Sequence, residues 1–359
     1  LNRNLGKMDL RVLREAVKDV SELRKLGGDD ANPYYAPEVV IERELSAITS
    51  VEEQQGIFAE IAPEFKAFAG DEARKKQGEL IHGLLSSGDR FNLFRGVAGA
   101  GKTSTLQEFC KGLRSGGVEN IYLIAPTNSA TDVLKQEGFE RSQTAASFLL
   151  SKEKPPAKSY VIIDESGLNS LREGVEIMKL ARRNDYRVLF VGDARQHTAV
   201  ESGDFFRLLE DYSKIRKFTL DEIHRQQNEE YRRGIFECAM GQYEEAFERF
   251  EKQQFIHEGK AAYLEEAAVK YMEFTEQGRF LDRAILVSPT HEECDKLTAT
   301  VRAKLKGTEA IRGIGREMEV FRSWNKPKAW LKDAANFQVG MTIGFIRDMK
   351  GVGKAGEVA

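Results

Sequence analysis

The sequence predicts an α/β fold in which a parallel sheet carries a phosphate-binding loop at the end of one strand. Three observations lead there. Short apolar runs at 91–94, 121–125, 160–163, 188–191 and 284–287 recur between helical stretches, and they are apolar throughout, as strands covered on both faces are. The first run leads straight into Gly96-Val97-Ala98-Gly99-Ala100-Gly101-Lys102-Thr103, which fits GxxxxGK[ST]. The third ends on an acidic pair, Asp164-Glu165.

Taken in order, Leu10, Leu13, Val17 and Val20 recur at spacings of three and four and predict an amphipathic helix ahead of Gly27-Gly28-Asp29-Asp30. Pro37 suits a first helical turn, and Ile41, Leu45 and Ile48 then share one helical face. A third helix carries Gln77 with Leu80, Ile81, Leu84 and Leu85. The polar, proline-containing stretch 151–158 reads as a surface loop. Between Leu220 and Gln254, two helices rich in Glu, Arg and Tyr mark a change of domain, and 341–347 is strand-like.

Composition narrows the classes. The 359 residues are 41% hydrophobic and 31% charged with a formal net charge of -3, ordinary for a globular chain long enough for two domains. No run of about 18 apolar residues predicts a membrane span, and no basic-then-apolar leader opens the chain, so a cytoplasmic location is the expectation. Cys110, Cys238 and Cys294 are far apart and form no CxxC pair, which points to reduced thiols rather than a disulfide framework or a zinc site. His197 and His224 have no second ligand at metal spacing. Phe148, Phe205 and Phe206 lie beside apolar runs and read as core before they read as base-stacking residues. The chain starts at Leu1 rather than a methionine and stops soon after a strand-like run, which reads as a piece of something longer.

Each residue of the glycine-rich loop has a chemical reason. Gly96, Gly99, Ala100 and Gly101 let backbone N–H groups curl around phosphate oxygens, and the start of the following helix, Thr103 and Ser104 included, adds positive potential. Lys102 reaches the outer phosphates, and Thr103 is placed to ligate magnesium. A carboxylate at a neighbouring strand end completes such a site: Asp164 to hold the metal, Glu165 to polarise an attacking water. The run 188–191 leads into Gly192-Asp193-Ala194-Arg195-Gln196, whose glutamine falls at the edge where ligands gather in open sheets. There Gln196 is a candidate reader of the γ-phosphate.

The loop 96–103, Ala125-Pro126-Thr127-Asn128-Ser129-Ala130, Thr144-Ala145-Ala146-Ser147-Phe148, Asp164-Glu165-Ser166, 191–197 and Leu220-Asp221-Glu222-Ile223-His224-Arg225-Gln226 resemble, in order and spacing, motifs I, Ia, Ib, II, III and IV of superfamily 1B helicases. Gly96-Val97-Ala98-Gly99 and the upstream Val40-Ile41-Glu42-Arg43-Glu44-Leu45 are similar to the helicase region of MobF-type conjugative relaxase-helicases. The resemblance covers about residues 34–300. It implies a RecA-like P-loop domain that uses ATP and Mg2+ to move along single-stranded DNA from 5′ to 3′, in association with conjugation machinery. Residue by residue, it implies that Gln77 reads adenine and that Arg225 is an arginine finger from the second domain. Thr127, Asn128, Ser147, Pro289 and Thr290 would then meet the DNA strand. Later motifs of the family have no match over 307–359.

The domain expectation is a helical connecting segment at 1–33, a P-loop domain at 34–220, an incomplete second RecA-like domain at 221–306 and the start of a small β insertion at 307–359. Three other readings compete: a degenerate domain that holds single-stranded DNA without catalysis, a repair or recombination helicase of the same superfamily, and a P-loop ATPase acting on protein. Retention of Lys102, Thr103, Asp164 and Glu165 favours the catalytic reading.

Overall fold

Strand-forming runs that are apolar on both faces end up between two helical layers in the computed structural model of the chain. It describes residues 22–28, 34–97, 99–193, 204–220, 228–259, 262–308, 310–311 and 341–342. Contacts separate the chain into two compact units, Leu1–His257 and Glu258–Ala359. The division falls beyond the 220/221 boundary expected from sequence, so the two Glu-rich helices belong to the first unit.

In the first unit, β1 (Leu23–Gly27) and β2 (Tyr34–Pro37) form an antiparallel pair. This corrects part of the helical reading of 1–33, whose periodic residues Leu10 to Val20 lie outside the described residues. Helix α1 (Glu38–Glu52) comes next, with Pro37 as its N-cap. Its buried residues are Ala47, Ser50 and Val51, while Leu45 is 55% exposed. The face marked by Ile41, Leu45 and Ile48 is therefore not the one that packs. The partners decide this, because α1 lies on two later helices of the same layer, where small side chains permit close approach.

The sheet has six parallel strands: β3 (Phe91–Gly96), β4 (Ile121–Ala125), β5 (Ser142–Thr144), β6 (Tyr160–Ile163), β7 (Arg187–Gly192) and β8 (Arg216–Leu220), in the order β5-β4-β6-β7-β3-β8. Alternate residues face opposite layers. Phe94, Tyr160, Ile162, Leu189 and Val191 meet α2 (Lys75–Leu85) and α3 (Lys102–Ser115) through Ile81, Leu84, Leu106 and Phe109. Phe91, Leu93, Val161, Ile163, Val188 and Phe190 meet α1, α6 (Leu171–Asn184) and α7 (Phe205–Tyr212). Phe148, Phe205 and Phe206 are core residues, as expected. Two shorter helices, α4 (Asn128–Gln136) and α5 (Ala145–Leu150), come after β4 and β5. The hairpin of α8 (Glu229–Ala239) and α9 (Tyr243–Lys252) closes the unit, with Arg249 bonded to Glu230 and Glu237.

The second unit packs α10 (Tyr263–Phe274) on α11 (His291–Gly307), burying Ala268, Met272, Leu297 and Leu305. The strand expected at 284–287 does not form among the described residues: Ile285 and Val287 are 84% and 82% exposed, and no strand pairs with them. A lone extended segment has no ladder in which to place its backbone hydrogen bonds. Most of the strand-like run 341–347 lies outside the described residues.

Candidate nucleotide-binding site

The carboxyl edge of the parallel sheet carries the 96–103 loop, the acidic pair, Thr127 and Ser147, because every strand points the same way. At the end of β3 the chain turns through Gly99 and Gly101, both left-handed with φ of 83° and 82°, before α3 begins at Lys102. A Cβ on Gly101 would come 2.7 Å from Gln77 Nε2, and one on Gly96 would come 2.8 Å from Lys102 Cγ. At Gly101 the left-handed backbone favours glycine, and at Gly96 a Cβ would push aside the stem of Lys102. Lys102 Nζ donates to Gly96 O at 2.8 Å, which folds the ammonium over the loop. Ser104 and Thr105 both donate their hydroxyls to Gly101 O at 2.9 Å. No acidic residue occupies the first turn of α3, so its N-terminal N–H groups keep their full positive potential. Ala98 lies outside the described residues.

Two strands away, β6 delivers the acidic pair. Asp164 N donates to Ile124 O at 2.8 Å, and Glu165 N donates to Asp164 Oδ1 at 3.0 Å. Burial pushes the Asp164 carboxyl up to about 6; the Glu165 charge adds to the rise, while the backbone bond and the Lys102 ammonium oppose it. Lys102 and the acidic pair therefore feel one another's charge. Glu165 is exposed and left-handed, with φ of 49°, a conformation costly for a side-chain-bearing residue. Strand β7 lies between β6 and β3, so its carboxyl end opens between the lysine loop and the acids. Asp193, the next residue after that strand, is buried. Gln196 and Arg225 lie outside the described residues.

Gln77 is 4% exposed, so it is no surface residue of α2. Its Nε2 makes a long bond of 3.4 Å to Ala100 O, and its Oε1 is buried with no partner. Such an acceptor is costly unless a donor arrives. An orphaned acceptor beside the loop, a glycine cradle that a Cβ would fill and a carboxylate in an unfavourable ionised state together fit a nucleotide with its divalent metal. Thr103 and Asp164 are the residues that would hold the metal.

The proposed strand-contacting residues divide between the units. Thr127 caps α4, its Oγ1 accepting from Ala130 N at 3.1 Å, and Asn128 beside it is exposed. Exposed Ser147 stands at the start of α5, its N–H bonded to Thr144 Oγ1 at 3.2 Å. These two sites end the adjacent strands β4 and β5, and neither helix has an acid in its first turn. Pro289 and Thr290, both exposed, precede α11 in the second unit, where Glu292 and Glu293 occupy the first turn. Those charges oppose a phosphate there. Sequence reasoning missed Arg95, one residue before the loop, whose NH1 bonds buried Glu210 of α7 at 2.8 Å. No local pattern links residues 115 positions apart.

With this geometry in view, residues 72–261, more than half of the chain, match the AAA domain family. The conjugal transfer protein TraA of Rhizobium radiobacter is 28% identical over 159 residues, a match covering 43% of this chain and 14% of that relative. Among solved structures, the Pif1 helicase of Candida albicans shares 17% identity at a TM-score of 0.39, with 79% of this chain and 67% of that chain covered. The PRRSV helicase shares 14% at 0.27, covering 36% and 30%. The arterivirus nonstructural protein 10 helicase solved with DNA shares 16% at 0.25, covering 42% and 38%. The chain belongs to the AAA domain family.

Proposed function

We propose that this chain is the ATP-binding and ATP-hydrolysing core of a single-stranded DNA translocase that works as part of a conjugative relaxase-helicase. The observation that carries the reading is the meeting of Lys102 and the Asp164-Glu165 pair at one sheet edge, beside the unpartnered acceptor of Gln77. Lys102 leaves its Gly96 carbonyl to neutralise the outer phosphates. The N–H groups of the 96–103 loop hold the inner ones. Magnesium, when bound, supplies a Lewis acid that draws charge from the phosphate oxygens. Glu165, exposed and held left-handed, orients a water and takes its proton. Gln196 senses the γ-phosphate, and Arg225 adds positive charge as transfer proceeds.

The DNA strand lies along the start of α4 and of α5. Thr127, Asn128 and Ser147 are its first-unit contacts, and the acid-free helix N-termini favour phosphate there. Phosphate release with and without single-stranded DNA tests the reading: turnover should rise at least tenfold with DNA, and Lys102→Ala and Glu165→Gln should abolish it. Glu165→Gln should still bind Mg-ATP. Equal rates with and without DNA, or activity surviving in Lys102→Ala, would sink the proposal.

A further inference from the structure

The ladders of β7 stop short of both halves of the site. Its last pair with β6 joins Phe190 to Ile163, and its last pair with β3 joins Gly192 to Arg95. Beyond these pairs each half bonds the strand on its far side: Val97 N donates to Leu220 O of β8 at 3.3 Å, and Asp164 N donates to Ile124 O of β4 at 2.8 Å. The spacing between the halves, across β7, therefore falls to what packs over the strand ends.

Helix α7 packs there. At its start, Asp204 accepts from Arg207 N at 3.1 Å and forms a backbone bridge with Ser170, and the helix lies on the turn Ser166–Leu168 that directly follows Glu165. Six residues on, about 9 Å along the axis, Glu210 meets Arg95 at 2.8 Å. Arg95 is the residue before Gly96, whose carbonyl holds Lys102. The backbone carbonyl of Glu210 also accepts from Lys217 Nζ of β8. One end of α7 thus touches the acidic turn and the other the root of the 96–103 loop. Glu210 stands out on this helix, whose other buried residues are Phe205, Phe206 and Leu209, and it is itself only 7% exposed. A buried carboxylate is tolerated when a cation meets it in a fixed geometry, and here the cation comes from the strand that leads into the loop. Alternation along β3 puts Arg95 on the α7 side with Phe91 and Leu93. A Cβ on its register partner Gly192 would come 3.1 Å from Phe206, so α7 sits close over the strand ends.

We propose that Arg95 is a positioning residue: through Glu210 and α7 it sets the distance between the 96–103 loop and Asp164, so that a divalent cation on phosphates held by the loop also reaches Asp164. This rests on the nucleotide reading above. Calorimetry on this chain, with ATP in EDTA and with Mg-ATP, measures what the metal adds to affinity. Glu210→Gln keeps the shape and breaks the ion pair, while Arg95→Met combined with Glu210→Gln leaves no buried charge unpaired. Each should hold metal-free ATP within about twofold of the parent and shrink the metal's contribution by about fivefold or more, within the range for coupled neighbours. Added to Asp164→Asn, which removes the carboxylate from the metal directly, neither should cost anything further, because nothing is left to position. Circular dichroism checks that the variants fold. Equal weakening of metal-free ATP and Mg-ATP would make the pair a scaffold contact, and an unchanged metal contribution would show that the spacing does not depend on it. A further loss on top of Asp164→Asn would show that the pair acts elsewhere. Each of these outcomes overturns the proposal and leaves the nucleotide reading standing on the parent's metal-enhanced binding. A parent chain that binds no ATP, or binds it no better with Mg2+, overturns the reading and the proposal together.

Discussion

Replacing Asp164 by asparagine should make the metal-free chain more stable at neutral pH, against the usual sign for a site residue. The carboxyl rises from an ordinary 3.8 to about 6, chiefly through burial at the end of β6. Each unit corresponds to about 1.4 kcal/mol, so ionising Asp164 in the folded state costs about 2 to 3 kcal/mol. Linkage sets the sign. The folded carboxyl holds its proton more tightly than the unfolded one, so this group penalises nothing below about pH 4. Its penalty grows as pH rises from about 4 to about 6 and is constant above. Asp164→Asn keeps the shape and removes the charge. Urea denaturation monitored by circular dichroism, in EDTA, should show the variant more stable than the parent by about 2 kcal/mol at pH 7.5, with the difference fading by pH 4. A difference that ignores pH, or a variant less stable at pH 7.5, would refute the claim that a destabilised carboxylate waits there for a cation.

Two further outcomes concern the cradle and the proposed finger. Gly101→Ala places a Cβ 2.7 Å from Gln77 Nε2 at a φ of 82°. It should cost about 1–2 kcal/mol of stability from the left-handed conformation and weaken Mg-ATP binding at least tenfold by calorimetry; unchanged binding would show that the cradle does not need this turn. Arg225→Ala and Arg225→Lys, in a protein complete enough to hydrolyse ATP, should bind ATP within a few-fold of the parent and lose about a hundredfold in DNA-stimulated turnover, the lower range for arginine fingers and related stabilisers. Unimpaired turnover in Arg225→Ala removes the finger.

What could be read from sequence alone is what depends on residue type and short spacing. The runs at 91–94, 121–125, 160–163 and 188–191 are strands within a residue or two, because a strand buried on both faces must be apolar at every position. The positions of the glycine-rich loop and of the acidic pair at strand ends were legible for a similar reason, since each follows directly on one of these apolar runs. The edge strands β5 and β8 escaped notice. Ser142–Thr144 and Arg216–Leu220 are largely polar, and a sheet edge tolerates polar residues. Everything that required knowing a distant neighbour was left to the tertiary structure. The order of strands set β7 between the lysine loop and the acids. Packing on α6 and α7 chose the buried face of α1, and α3 with its loop turned Gln77 from a possible surface residue into a buried one with an orphaned oxygen. The exposed run 284–287 makes the same point from the other side, since apolar sequence specifies a strand only where the fold supplies a ladder to complete it.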